Sequence, residues 1–390
     1  MGAKKADYAV SVVQKQRFLY ALSKENPSKI EDMEEAQMKK PLVSLGLALC
    51  LLLSCFALAA CGGAAPKQTS HQTQTHTHNF VNGVCPDDGT YETPFRLKGK
   101  LTDEQRAAPA QVGTIEELSY TTRSYYLESL PENAGKEIEL TKTALVYLPA
   151  LYDPSRQYDV MYLLHGTGED EKCWLTFKGK DVINVLENMV AQGLCKPVIL
   201  VTPTWYSPET AYTTQEEYNA DPNPDGWTSA FGAELRNDLI PAVEAKYSTY
   251  AGGDTSPEKL IETREHRAFC GVSRGSMTVM KSGLMQNLDY ISYFGNFSGV
   301  WTEVSELKAA LTDPAFDSYP IGYWYNGTGD ADTVGGANEH HPVFFEGAIK
   351  EMPDKFTNGV NAAMIVKKTS GHDYNAWLSD FYNVMLVFYK

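Results

Sequence analysis

A serine hydroxyl attacks a carbonyl only when it is exposed, held still and set beside a base. Gly271-Val272-Ser273-Arg274-Gly275 offers the first two conditions. The apolar run Ala268–Val272 reads as a buried strand and Thr278–Leu288 as the helix after it. Glycines on both sides of the serine leave the backbone room for a sharp turn between them. An ordinary Gly-rich turn has the same composition, so the strand before and the helix after carry the argument. The base is expected later, on a loop after the last strand. His372, in Ser370-Gly371-His372-Asp373-Tyr374, lies just past the strand pattern Ala362–Lys367. The other histidines fall elsewhere. His71, His76 and His78 lie in a polar linker, His266 opens the strand before Ser273, and His340-His341 reads as polar loop.

An imidazole base needs a carboxylate to fix its tautomer and stabilise the imidazolium. Tyr323-Trp324-Tyr325-Asn326-Gly327-Thr328-Gly329-Asp330 gives a strand, a Gly turn and an acid. Asp330 is the first choice because it directly follows Gly-Thr-Gly, and Asp332 is its rival. The order Ser, Asp, His is the order of the α/β-hydrolase fold. Acyl transfer also needs N–H donors aimed at the tetrahedral oxyanion. The expected pair is the backbone N–H of Arg274 and that of Thr167, in the loop His165-Gly166-Thr167-Gly168. His165 itself reads as a residue that braces this loop.

The elements that must position these groups alternate along the chain. A β-rich entry covers Thr114–Glu128 and Glu137–Tyr147, separated by a turn at 131–135. Strands follow at Val160–Leu164, Pro197–Val201, Ala268–Val272, Tyr319–Tyr325 and Ala362–Lys367. Helical spacing appears over Asp181–Leu194, Phe231–Tyr247 and Tyr374–Tyr389, and Pro203–Asp225 reads as a long loop. Strands alternating with helices predict an α/β fold with a mostly parallel central sheet and helices on both faces.

The 390 residues carry 34 basic and 49 acidic side chains, a formal charge of −15. That balance repels polyanions, so nucleic acid is not an expected partner. Lys39 and Lys40 precede an uncharged stretch, Leu42–Ala60, which reads as an export signal. An uncleaved membrane helix of that length is the alternative. The end of the stretch, Leu58-Ala59-Ala60-Cys61-Gly62-Gly63, resembles the lipobox of bacterial lipoproteins. That resemblance implies cleavage before Cys61, acylation of its thiol and an extracytoplasmic domain held to a membrane by lipid alone. The resulting division is 1–37 as an upstream extension, 38–60 as signal peptide, 61–90 as flexible tether and 91–390 as the catalytic domain. Cys85, Cys173, Cys195 and Cys270 remain, and sequence cannot choose among their three pairings. His71, His76, His78 and Cys85 match no zinc spacing, so no metal is expected.

Taken together, Tyr162-Leu163-Leu164-His165-Gly166, Gly271-Val272-Ser273-Arg274-Gly275, Gly327-Thr328-Gly329-Asp330 and Gly371-His372-Asp373-Tyr374-Asn375-Ala376-Trp377 resemble carbohydrate esterase family one. The likeness runs from about Lys142 to Lys390. It implies a serine esterase, without metal or organic cofactor, acting on acylated xylan or its oligosaccharides. Feruloyl and acetyl esters are the substrates of such enzymes. Arg274 and Ser276 stand where the family commonly has Met and Gly, which leaves the acyl group open. Trp174, Trp205, Tyr206, Tyr212, Trp227 and Trp377 are the rings expected to bind substrate. An acyltransferase, a peptidase, or a glycan-binding lipoprotein with an idle triad are the competing readings.

Overall fold

The computed structural model describes Cys85, Thr90 and residues 95–177, 180–206 and 226–390. The signal stretch, Cys61, the His-bearing linker and Tyr212 lie outside the described residues. Among the described residues no helix is long and apolar enough to cross a membrane.

Eight strands form one sheet: β1 (Thr114–Arg123), β2 (Glu139–Leu148), β3 (Asp159–Leu164), β4 (Val198–Thr202), β5 (Arg267–Val272), β6 (Tyr293–Phe297), β7 (Tyr323–Gly329) and β8 (Ala362–Lys367). Their spatial order is β1-β2-β4-β3-β5-β6-β7-β8. β1 and β2 pair antiparallel, as do β2 and β4, and all later pairs are parallel. The helices in chain order are α1 (Asp103–Arg106), α2 (Tyr125–Ser129), α3 (Lys180–Ala191), α4 (Gly226–Glu234), α5 (Ile240–Lys246), α6 (Pro257–Glu262), α7 (Arg274–Thr278), α8 (Val304–Leu311), α9 (Ala337–Glu351) and α10 (Tyr374–Val387). Short π-helical turns continue α4 into α5 and extend α7.

The central strands are apolar throughout because both faces are covered. Alternate residues of β3 and β5 divide between the faces. Val160, Tyr162, Leu164 and Phe269 pack with Phe231, Leu239 and Phe345 from α4, the following π turn and α9. Met161, Leu163, Ala268 and Cys270 pack with Val182, Leu186, Leu378 and Phe381 from α3 and α10. The strand order reverses between β3 and β5, which is where an open α/β sheet leaves a crevice beyond its carboxyl ends. The serine turn and the His165 loop both leave the sheet at that point.

Several expected boundaries shift. The first β segment ends at Arg123 and turns into α2, and the serine helix starts at Arg274 rather than Thr278. His340 and His341 lie in α9, not in a loop. β6, which the sequence reading did not contain, pairs between β5 and β7. Cys195 and Cys270 are free thiols, which removes every pairing that uses all four cysteines.

Candidate active site

The serine turn is built by close approach. Ser273 has φ 54° and ψ −122°, a left-handed conformation that costs about 1–3 kcal/mol and survives only where surroundings enforce it. Its N–H donates to the Phe297 carbonyl at 2.9 Å, and its carbonyl accepts from Met277 N–H at 3.1 Å. A Cβ on Gly271 would lie 2.6 Å from the Gly275 carbonyl oxygen, and one on Gly275 would lie 2.3 Å from that of His165. Both glycines are thus required by the packing of β5, α7 and the His165 loop.

That loop passes directly over the serine: a Cβ on Gly166 would stand 3.5 Å from the Ser273 Cβ. His165 is buried, with Nδ1 donating to the Gly166 carbonyl at 2.7 Å, so Nε2 accepts from the Thr204 hydroxyl at 2.9 Å. Burial lowers the pKa of this imidazole and keeps it neutral, which fits one donor and one acceptor nitrogen. Across a planar trans peptide the Thr167 N–H points opposite to the Gly166 carbonyl. Fixing that carbonyl therefore fixes the direction of the Thr167 N–H. Thr167 is exposed, and Gly166 N–H is taken by the Glu169 carboxylate at 3.1 Å. Arg274 is the first residue of α7. Thr167 and Arg274, whose N–H groups the sequence offers as oxyanion donors, thus lie in the loop after β3 and at the start of α7.

His372 and Asp332 come from the carboxyl ends of β8 and β7. His372 is partly buried, and its Nδ1 lies 2.9 Å and 3.1 Å from the two oxygens of Asp332. Asp332, not Asp330, is the partner. The N–H of Asp330 bonds the Lys367 carbonyl at 2.9 Å, continuing the β7–β8 ladder one residue past the strand. Its side chain, 34% exposed, lies 3.7 Å from the Lys368 ammonium. A turn closed by Asp332 N–H on the Gly329 carbonyl then brings the Asp332 carboxylate inward, where it is fully buried. Burial pushes this carboxyl up. Hydrogen bonds from His372, Ser298 and the Val334 N–H, with the charge of His372, outweigh it and hold the group below the usual carboxylate range.

The rings expected to bind substrate are mostly interior. Trp174 is 1% exposed and donates its indole N–H to the Leu164 carbonyl. Trp205 is 2% exposed, donates to the His165 carbonyl and packs tilted against Tyr206. Trp227 is buried against Tyr126, with ring centroids 4.3 Å apart. These three rings are corrected from substrate binders to packing residues, because their faces are spent on neighbours. Tyr206 is partly exposed, and its hydroxyl accepts the Gly168 N–H at 3.1 Å. Trp377 is buried, edge-on to His372 at 5.1 Å, with its indole N–H on the Ser298 hydroxyl at 2.7 Å. Its ring packs against His372.

Sequence reasoning passed over the loop after β6. There the buried Ser298 hydroxyl accepts the Trp377 indole N–H, and the partly exposed Trp301 donates its indole N–H to the Gly335 carbonyl at 3.2 Å, three residues past Asp332. The signal was its place after a strand, which went unread because the strand itself did. Among the described residues no His, Cys, Asp and Glu side chains gather in a cluster that could hold a metal ion.

This sheet order, with a strained serine after β5, an acid after β7 and a histidine after β8, defines an α/β-hydrolase. The chain belongs to the Esterase family, whose model matches residues 135–384. It is 36% identical over 183 residues to endo-1,4-beta-xylanase Y of Acetivibrio thermocellus, covering 45% of this chain and 15% of that protein. It is 25% identical over 306 residues to an endo-1,4-beta-xylanase/feruloyl esterase of Xylanibacter ruminicola, covering 77% of this chain and 34% of that one. The chain therefore spans about a third or less of the length of these relatives. Among solved structures, the feruloyl esterase module from Clostridium thermocellum, determined as a mutant complexed with sinapinate, aligns with TM-score 0.59 and 25% identity. That alignment covers 74% of this chain and 93% of the module. The ferulic acid esterase of Anaeromyces mucronatus shares the fold, with TM-score 0.55 and 22% identity over 75% of this chain and 97% of its own.

Proposed function

We propose that the protein is a serine esterase that releases a hydroxycinnamic acid, ferulate first among them, from acylated xylan or its oligosaccharides. The observation that carries this reading is the pairing of His372 Nδ1 with the buried Asp332 carboxylate. With Nδ1–H committed to Asp332, Nε2 is the free basic nitrogen. In the proposed reaction Nε2 takes the Ser273 hydroxyl proton as Oγ bonds to the acyl carbon. The oxyanion forms between the N–H groups of Thr167 and Arg274. The imidazolium then gives its proton to the departing sugar oxygen, and the carbon–oxygen bond breaks to leave an acyl-Ser273 ester. Water, losing a proton to Nε2, attacks that ester, and the proton returns to Ser273 as the acid leaves.

Feruloyl is favoured over acetyl because one relative is an endo-1,4-beta-xylanase/feruloyl esterase and the aligned module of 25% identity is a feruloyl esterase. Trp301, bonded to the Gly335 carbonyl, and Val334, 48% exposed and bonded through its N–H to Asp332, are apolar groups near the acid that suit an aromatic acyl group. The lipid anchor belongs to the same proposal: a Cys61-linked enzyme would release its products close to the cell surface.

The test is the full chain and its Ser273→Ala variant assayed on methyl ferulate and on acetylated xylan. Ferulate released by the parent and lost in the variant is the expected result. Acetate release alone would overturn the acyl assignment while keeping the mechanism, and release surviving in the variant would overturn the mechanism. Incorporation of labelled palmitate in a bacterial host, abolished by Cys61→Ala, tests the anchor.

A further inference from the structure

Two peptide planes flank Thr167, and a hydrogen bond holds each of them. The carbonyl of the first, Gly166–Thr167, accepts Nδ1–H of His165 at 2.7 Å. The N–H of the second, Thr167–Gly168, donates to the Tyr206 hydroxyl at 3.1 Å. His165 does not hold its plane alone. A carbonyl can only accept, so Nδ1 carries the proton of this buried, neutral ring, and Nε2 accepts the Thr204 hydroxyl at 2.9 Å. The same hydroxyl oxygen accepts the Tyr206 N–H at 3.2 Å. Both planes are therefore tied to one short segment, Thr204-Trp205-Tyr206, in the loop after β4.

That segment also grips His165 elsewhere. The His165 carbonyl accepts the Trp205 indole N–H at 3.1 Å. Its imidazole lies nearly parallel to the rings of Trp205 and Tyr206, with centroids 5.7 Å away in each case. The segment is fixed to the sheet in turn. The Thr204 carbonyl accepts the ammonium of Lys142 in β2 at 2.7 Å, and that ammonium pairs with the Glu234 carboxylate of α4 at 2.7 Å. Both charged side chains are buried.

We propose that Thr204 and Tyr206 are positioning residues of the oxyanion site, locking the peptides on both sides of Thr167 so that its N–H is aimed before charge develops. The inference rests on the serine-esterase reading above and on its Thr167 donor. Thr204 acts through the His165 imidazole, and Tyr206 acts through the Gly168 N–H. A donor contributes most when it need not turn during the reaction. Without the Thr204 hydroxyl, Nε2 of His165 loses its partner and the ring is free to turn, releasing the Gly166 carbonyl. Without the Tyr206 hydroxyl only the second plane is released. The planar ester gains little from these donors, so the loss falls on kcat rather than on KM.

The experiment uses the full chain with Thr204→Val, Thr204→Ser and Tyr206→Phe, assayed on methyl ferulate beside Ser273→Ala. Valine keeps the shape of threonine without its hydroxyl. Thr204→Val should lower kcat by about tenfold to a hundredfold, with KM changed less than about twofold. Thr204→Ser restores the hydroxyl and should return kcat to within about threefold of the parent. Tyr206→Phe alters a half-buried ring at its tip, which keeps the test valid if Thr204→Val folds poorly. It should lower kcat by about threefold to tenfold at constant KM. An aryl trifluoromethyl ketone, which Ser273 would convert to a tetrahedral oxyanion, should bind the Val and Phe variants more weakly in step with their loss of kcat/KM. Planar ferulate should bind all of them as it binds the parent. Parental kcat in Thr204→Val, or a loss that serine does not restore, would overturn the proposal. So would a raised KM at constant kcat in Tyr206→Phe, the mark of a substrate contact. If Ser273→Ala is inactive while these variants match the parent, this inference alone fails. If Ser273→Ala stays active, the serine-esterase reading fails and this inference with it.

Discussion

Nδ1 of His372 lies 2.9 Å from one oxygen of Asp332 and 3.1 Å from the other, so a single imidazole N–H is shared across the whole carboxylate. The neighbouring acid, Asp330, faces Lys368 and solvent. Asp332→Asn should therefore lower kcat on a feruloyl ester by about a thousandfold to ten-thousandfold, because the amide favours the wrong tautomer. Asp330→Asn should change it by less than about threefold, as expected of a screened surface pair. Steady-state kinetics on the two variants decides the assignment, and a reversed pattern would return the role to Asp330.

Gly275→Ala puts a methyl group 2.3 Å from the His165 carbonyl oxygen and 3.0 Å from the Leu164 Cβ. Neither neighbour is the end of a flexible chain. The loop carrying Thr167 must move away from the serine, with a stability loss of about 1–3 kcal/mol. The kcat loss should exceed what the drop in Tm accounts for. A variant with normal turnover would show that the loop can shift without harm to the oxyanion donors.

Lys142 and Glu234 form a buried pair at 2.7 Å, with Lys142 Nζ also on the Thr204 carbonyl and Tyr120 on the carboxylate. Burial raises the Glu234 pKa, against the opposing pull of Lys142 and Tyr120. Lys142→Met leaves that carboxyl buried without its cation and should destabilise the fold by about 3–5 kcal/mol in denaturant titrations. Lys142→Met with Glu234→Gln should recover part of the loss. Because Thr204 also holds His165, slower turnover should accompany the single change.

His341 is fully buried, and burial lowers its pKa to about 3. Its unfolded counterpart titrates near the ordinary value of 6.5. Between these two values the unfolded chain binds a proton that the folded one refuses, so stability falls as pH drops, by about 1.4 kcal/mol per unit at most. Above pH 6.5 the effect is absent. Urea titrations of His341→Gln should show a pH dependence between 6 and 4 that is weaker than the parent's by about one proton. Identical slopes would mean that His341 is protonated in the folded state.

What could be read from the sequence was local. Ser273 was legible because glycines, an apolar strand and a helix lie within a few residues of it, and the turn they form needs no distant partner. His372 was legible because it follows a clear strand, Ala362–Lys367, with glycine before it. β6 escaped because Gly295 and Asn296 interrupt its apolar run. Asn296 is tolerated there because its amide bonds Ser276 and Trp324 inside the core. His341 escaped for the same reason, since a polar stretch containing Pro342 gives no hint that one imidazole is sealed between Gly299 and Asn326.

The sequence by itself determined the class of fold and singled out Ser273 and His372 as candidates, because each follows from short-range pattern and chain order. Only the tertiary structure decided between Asp330 and Asp332. That choice depends on where the β7–β8 ladder stops pairing, a property of two strands joined late in the chain. It also decided that Trp174, Trp205 and Trp227 pack inside, since a ring's exposure depends on neighbours brought from distant segments.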